Sequence, residues 1–201
     1  MGFKCITEPI KALGAFLPYD GDKNNEENFF SKIRKMKTKL NIWHTRDLSL
    51  YGRSMLAKTV SVSQLIYAAS MSTVPEPVIQ KSQAELFALL WRNKRDKIKR
   101  PVIYQPISDG GYNFMNFRTM VKLLRLSWIG RPLDGTHANW KAVPSCFLNK
   151  YGGLTLLLKC TYEVNLFEAN FPLFYRELPG YFQELSGRYG GEPRRKFILG
   201  L

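Results

Sequence analysis

The sequence predicts a mainly α-helical chain with a minor β part, and three observations carry that reading. Four stretches, 26–43, 43–71, 78–91 and 116–129, place apolar residues three and four apart, which is the repeat of one helix face. Only two short runs, near 5–17 and 102–114, look like strands. Prolines and glycines gather between the helical stretches, where they break the chain. The expected architecture is a small N-terminal strand pair, a helical bundle of about four helices with one β-hairpin, and a helical, aromatic C-terminal part.

Residues 5–17, CITEPIKALGAFL, read as one or two short strands broken by Pro9 and Gly14. The polar stretch that follows holds Tyr19-Asp20-Gly21-Asp22. Two acids without a third partner, among glycine and asparagine, read as a turn and not as a metal site. In 26–43, Phe29, Ile33, Met36, Leu40 and Trp43 form one seam, and Lys32, Lys35 and Lys39 line its edge.

The central stretch is WHTRDLSLYGRSMLAKTVSVSQLIY. Asp47 or Ser49 is positioned to cap a helix running to Met71. Met55, Leu56, Thr59, Val60, Val62, Ser63, Ile66 and Tyr67 fall on one broad face, which predicts that this face is buried. Gly52 lies in the middle of the stripe, with Arg53 and Lys58 at its borders; a glycine there implies close approach of another backbone or of a ligand. Thr73 to Pro77 break the chain, and a third helix over 78–91 carries Ile79, Leu86, Leu89 and Leu90.

WRNKRDKIKRP is the densest cationic run, with Arg92, Lys94, Arg95, Lys97, Lys99 and Arg100 against Asp96 alone. Such a run suits phosphates, and a localisation signal would look similar. Val102-Ile103-Tyr104 and Tyr112-Asn113-Phe114 flank Ser108-Asp109-Gly110-Gly111, which predicts a β-hairpin. The fourth helix puts Phe117, Val121, Leu124 and Trp128 on one side and a second basic row, Arg118, Lys122 and Arg125, on another. Beyond Arg131-Pro132 shorter pieces follow, 140–151, 154–162 and 171–187, and then a tail expected to pack poorly.

The chain has 201 residues, 45% hydrophobic, enough for one substantial core with a small appendage. Its formal charge is +14, and the excess is localised. Residues 31–131 carry 19 Lys/Arg against 5 Asp/Glu, whereas 1–30 carry 3 against 5 and 132–201 carry 8 against 6. An excess of that kind favours polyanionic partners, nucleic acid before anionic membrane. Three separated cysteines, Cys5, Cys146 and Cys160, offer neither a disulfide framework nor a zinc knuckle. No apolar run approaches the ~20 residues of a membrane span, and nothing reads as a secretion signal. The expected location is intracellular, nuclear or cytoplasmic. His44 and His137 stand alone, in no nucleophile–base or metal spacing.

The ordered phrases IKALG, then W..R.LSL.GR...K with a following S.L.Y, then LLWRNK...I.RP...P..DGGYNF.NF and a helix ending in tryptophan resemble a known family. They are similar to the region just downstream of the polymerase palm in reverse transcriptases of LINE-type, non-LTR retrotransposons, over about residues 9–131. The resemblance implies that IKALG belongs to the last palm strands and that Trp43 onward forms a helical thumb holding template–primer duplex. Arg46, Gly52, Arg53 and Lys58 then fall in the helix-start motif. Trp91, Lys94, Gly110, Gly111 and Asn116 fall in the later one, with structural roles for Trp91 and the glycines.

The departures are as informative. The family's paired magnesium ions need carboxylates that include adjacent aspartates, and this chain has no adjacent Asp-Asp. The fingers and most of the palm are missing, so the chain alone should not polymerise, and magnesium is expected only for the full-length family enzyme. The expected domains are 1–25, palm-end strands and loop; 26–131, the basic thumb-like part; and 132–201, the C-terminal segment. The function implied is that of a reverse-transcriptase fragment binding RNA–DNA hybrid or duplex DNA without sequence preference, beside the remaining polymerase domains. The alternatives are a structural or interaction domain, an inert transposon remnant, or a peripheral binder of anionic membrane.

Overall fold

The computed structural model describes residues 10–12, 15–17, 26–134, 136–159 and 173–189, and these are mostly helical. The turn expected at Asp20, the segment 160–172 and the C-terminal tail lie outside them. The chain divides into two compact units, Met1–Val121 and Lys122–Leu201.

In the first unit, Ile10–Ala12 (β1) pairs antiparallel with Ala15–Leu17 (β2), in the register Ile10 to Leu17, Lys11 to Phe16 and Ala12 to Ala15. A widened π-helical turn, Glu26–Phe30, leads into α1, Ser31–His44. Phe29, Ile33, Met36 and Leu40 are buried along its seam, and Trp43 is half-buried at the end. Ser49 caps the next helix: its extended backbone lets the hydroxyl accept from the Gly52 N–H at 3.1 Å. That helix is a rod in three parts, α2 (Leu50–Leu56), a π-helical stretch Ala57–Val62, and α3 (Ser63–Met71).

The rod is turned away from the sequence expectation. Its buried residues are Ser54, Ala57, Ser61, Leu65, Ala68 and Ala69, while Met55, Thr59, Ser63, Ile66 and Tyr67 are exposed and Leu56 and Val60 half-buried. The rod packs against α1 and against α4 (Glu76–Trp91). Those helices supply the bulk, namely Ile33, Met36 and Leu40 on one and Leu86, Leu89 and Leu90 on the other. Small residues on the rod let the three axes approach, since interaxial distance follows the side chains at the contact. The π-helical stretch adds to the discrepancy, because the three- and four-residue repeat of an α-helix face does not hold through it.

The expected β-hairpin is absent. Residues 100–104 form a short helix, α5 (Arg100–Tyr104), with Pro101 in its first turn, where the missing N–H costs nothing. After the 3-10 turn Ile107–Asp109, the chain folds back and donates from Asn113 N–H to Gln105 O (2.8 Å) and from Phe114 N–H to Ile103 O (3.0 Å). The returning strand-like residues thus cap carbonyls of a helix and do not join a ladder. Gly111 makes this possible: a Cβ there would lie 2.1 Å from the Gln105 carbonyl oxygen. Phe87 packs edge-on to Phe114 (5.2 Å) and Tyr104 (6.1 Å) beneath the loop.

The helix α6 spans Phe117–Leu133 and runs on through Pro132, where the sequence pattern predicts an end. In the second unit, α7 (Ala142–Leu148), α8 (Gly153–Lys159) and α9 (Leu173–Tyr189) gather around Leu126, Ile129, Leu148, Leu154, Leu158 and Leu178. Trp128 stands 5.1 Å from Tyr175 and 5.6 Å from Phe174, ring centre to ring centre.

Candidate nucleic-acid interface

The cationic run follows directly from how α4 ends. Arg92 and Asn93 both adopt left-handed backbone (φ 52° and 58°), and the Asn93 N–H donates to Ala88 O at 2.9 Å, closing the helix. The sharp reversal presents residues 92–99 as an exposed loop. Lys94, Arg95, Lys97 and Lys99 are exposed there and carry no ion pair among the described residues. The flanking arginines are engaged. Arg100 donates to Asp96 at 2.8 Å and stacks 4.3 Å above the Phe87 ring. Arg92 reaches back to the turn before the rod, donating from Nη2 to Asp47 Oδ1 at 2.6 Å and to the Arg46 carbonyl at 3.3 Å.

Two arginines act on the Asp47 carboxylate, Arg92 by a hydrogen bond and Arg53 electrostatically. Arg46 lies 5.2 Å above the Trp43 ring. Arg53 is half-buried, and its Nε is closed off from solvent with no acceptor within reach among the described residues. Burial first, and then the nearby Arg92 charge, lower the Arg53 pKa, with Asp47 opposing. Asp47 itself is exposed, and the Arg92 hydrogen bond holds its carboxyl below the ordinary value of 3.8.

On α1, Lys35 and Lys39 are exposed, whereas Lys32 is half-buried and its pKa is lowered by burial, then by Lys35 and Lys11. Lys58 is half-buried on the rod. Gly52 is not crowded: a Cβ would meet the Ser49 hydroxyl at 3.5 Å, an ordinary contact within its own cap, so no second backbone explains this glycine.

The second basic row does not form an open surface. Arg118 is bonded to Glu76, in the first turn of α4. Lys122 is bonded to Glu184 and faces the Tyr181 ring at 5.5 Å. Arg125 is fully enclosed at 0% exposure, with Nε 3.2 Å from Glu177 Oε2 and its guanidinium 4.2 Å from the Phe174 ring. Their carboxylate partners are 42 to 62 residues away, and nothing local in the sequence pairs them.

Over 181 residues the chain is 26% identical to the Transposon TX1 uncharacterized 149 kDa protein of Xenopus laevis, an alignment covering 87% of this chain and 13% of that protein. The likeness is to a transposon protein. It indicates a transposon-related origin, and this chain spans a small part of that relative's length. No protein-family model matches the chain.

Among the described residues, no three His, Cys, Asp or Glu side chains converge in a way that could hold a metal ion. No described helix is long and apolar enough to cross a membrane.

Asp47 is the residue that sequence reasoning misplaces. By sequence it is one of two candidate caps, but Ser49 takes that role and Asp47 ties the turn to α4. The available signal is its rarity, as one of 5 acids among residues 31–131.

Proposed function

We propose that this chain is part of a non-LTR retrotransposon reverse transcriptase, from the end of the palm through the thumb, and that it holds template–primer duplex by its phosphates without performing the chemistry. The observation that carries this is the exposed loop after α4, where Lys94, Arg95, Lys97 and Lys99 stand without carboxylate partners among the described residues. Cations so placed release counterions from a nucleic-acid backbone and read no base edges, so they position the duplex without choosing its sequence. Lys35, Lys39, Arg46, Arg53 and Lys58 belong to the same proposal, while the enclosed Arg125 does not. Similarity to a transposon protein supports the origin, and the order of the sequence phrases supports the region. The remaining polymerase domains, in a longer protein or in trans, would supply fingers, catalytic aspartates and magnesium. An intracellular site of action, nuclear or cytoplasmic, goes with that role.

A second reading, a non-enzymatic interaction domain, draws on a different observation. The rod exposes the large apolar residues Tyr51, Met55, Ile66, Tyr67 and Met71, and exposed apolar surface is what a partner protein covers. The test is binding of the purified chain to a labelled RNA–DNA hybrid across a salt series, beside duplex DNA and single strands. Steep loss of affinity with salt, indifferent to sequence, supports the nucleic-acid reading. A folded chain that does not bind at low salt leaves the interaction domain as the better account.

A further inference from the structure

We infer that residues 180–189, the second half of α9, form a strap that masks Lys122 and releases it to a phosphate backbone when the helix opens at Pro179-Gly180. The inference rests on the nucleic-acid reading above and adds regulation to it, since part of the basic surface becomes available only when the strap lifts. Lys122 is the middle member of the second basic row, one turn beyond Arg118 on α6. Its ammonium is bonded to Glu184 and faces the Tyr181 ring, and both partners lie on α9. Arg118 needs no such release. Its pair with Glu76 stands largely in water, and a pair so exposed holds weakly enough to yield to a polyanion.

The two halves of α9 are held differently. In the first half, Phe174 and Tyr175 pack on Trp128, Leu178 is buried, and Glu177 meets the enclosed Arg125. In the second half, Tyr181, Phe182, Gln183 and Glu184 are all only half-buried. Between the halves stand the two residues least suited to a helix. Pro179 has no N–H to give to the Tyr175 carbonyl one turn back, and its ring crowds that carbonyl. Gly180 adds backbone entropy to the open form, yet packing does not demand a glycine: the residue is exposed, and a Cβ there would lie in open space.

A helix weakened at one joint, firmly packed before it and half-buried after it, opens locally at that joint. Opening turns the Lys122 ammonium to solvent on the side of α6 that also carries Arg118, four residues back. A phosphate oxygen then takes the place of the Glu184 carboxylate, one oxyanion for another. The apparent affinity is the intrinsic one reduced by the fraction of chains that are open. That fraction can be changed without changing charge. Gly180→Ala favours the closed helix by roughly four- to fivefold, the glycine–alanine difference in a helix interior.

Hydrogen exchange of the full chain is followed with and without an RNA–DNA hybrid oligonucleotide. Hybrid affinity is measured in parallel for wild type, Gly180→Ala, Lys122→Gln and the double variant. A strap predicts that amides of 180–189 exchange faster than those of 173–178 in the free chain, and lose protection when hybrid is added. Gly180→Ala should weaken binding by about two- to fivefold. Lys122→Gln should weaken it too, and should make the chain indifferent to Gly180→Ala. Diffuse electrostatics predicts no effect from a substitution that leaves the charge unaltered. Protection of 180–189 that hybrid leaves unchanged or raises, or equal affinity of wild type and Gly180→Ala, overturns the strap, while salt-dependent binding through the loop after α4 still supports the nucleic-acid reading. If folded wild type binds no hybrid at low salt, that reading falls and the strap falls with it.

Discussion

Asn28 satisfies the backbone of Phe16 at both ends: its Oδ1 accepts from the Phe16 N–H at 2.8 Å, and its Nδ2 donates to the Phe16 carbonyl at 2.7 Å. A buried side-chain amide thus takes the place of a neighbouring strand beside β2, in a sheet of two strands. Replacing Asn28 with Leu leaves both backbone groups unmet, at an expected cost of about 1–3 kcal/mol. A shift in the urea midpoint measures it, and an unchanged midpoint would show that water serves Phe16 equally well.

The orientation of the rod gives a pair of opposite outcomes. Ala57 is fully enclosed, whereas Met55 is 43% and Ile66 39% exposed. Ala57→Leu should overpack the contact with α1 and α4 and cost about 1–3 kcal/mol. Met55→Gln and Ile66→Gln should stay within about 0.5 kcal/mol, as surface changes do. Thermal melts of the three variants decide; a reversed order would restore the face predicted from the large apolar residues.

Two glycines should also separate. Gly111→Ala puts a methyl into the Gln105 carbonyl, so the fold-back after α5 must shift, with a marked loss of stability. Gly52→Ala meets only ordinary contacts and should stabilise the rod by up to about 1 kcal/mol through the lower backbone entropy of alanine. Denaturant unfolding reads both, and a destabilised Gly52→Ala would mean that the glycine answers to something besides its own helix cap.

Three carboxylates give pH dependence of two signs. Asp47 and Glu76 are pulled below their ordinary values of 3.8 and 4.5, by hydrogen bonds from Arg92 and Arg118 first. Their contribution is complete above those values and is lost as pH falls through the lowered ones. Glu177 is raised from 4.5 because burial outweighs the attraction of Arg125. Its contribution is complete below 4.5 and is lost as pH rises through the raised value. Stability measured from pH 2 to 7 should therefore lose part of its acid limb in Glu76→Gln, and part of its decline above 4.5 in Glu177→Gln. Parallel curves for both variants would contradict the opposed directions.

The salt dependence of duplex binding tests the loop itself. Removing Arg95, Lys97 and Lys99 together should lower the slope of log affinity against log salt by about 0.9 for each duplex-DNA phosphate that the loop no longer neutralises. An unchanged slope would exclude the loop as the binding surface.

Local chemistry was legible wherever a residue's fate depends on its near neighbours in sequence. The apolar seam from Phe29 to Leu40, the buried Leu86, Leu89 and Leu90 of α4, the choice of Asp47 or Ser49 as the cap, and the exposed cations after Trp91 all follow from spacing and side-chain type. The same reasoning misjudged the stretch 102–114, because alternating residues around a glycine pair suit a hairpin and a helix fold-back equally well. What chose between them was Pro101, which starts a helical turn, and the Ile103 and Gln105 carbonyls, which needed donors.

By itself, then, the sequence determined that this is a basic, mostly helical chain whose charge lies between residues 31 and 131, because composition and helical period are properties of the chain alone. Tertiary structure decided which side of the rod is buried, since that depends on the bulk its partner helices bring. It also decided which cations remain open to a ligand. Arg125 vanished into an ion pair with Glu177, Arg118 was taken by Glu76, and Arg92 was bound to Asp47, whereas Lys94, Arg95, Lys97 and Lys99 stayed in water. Charge is carried by residues, but its availability is set by which carboxylates the fold brings within reach.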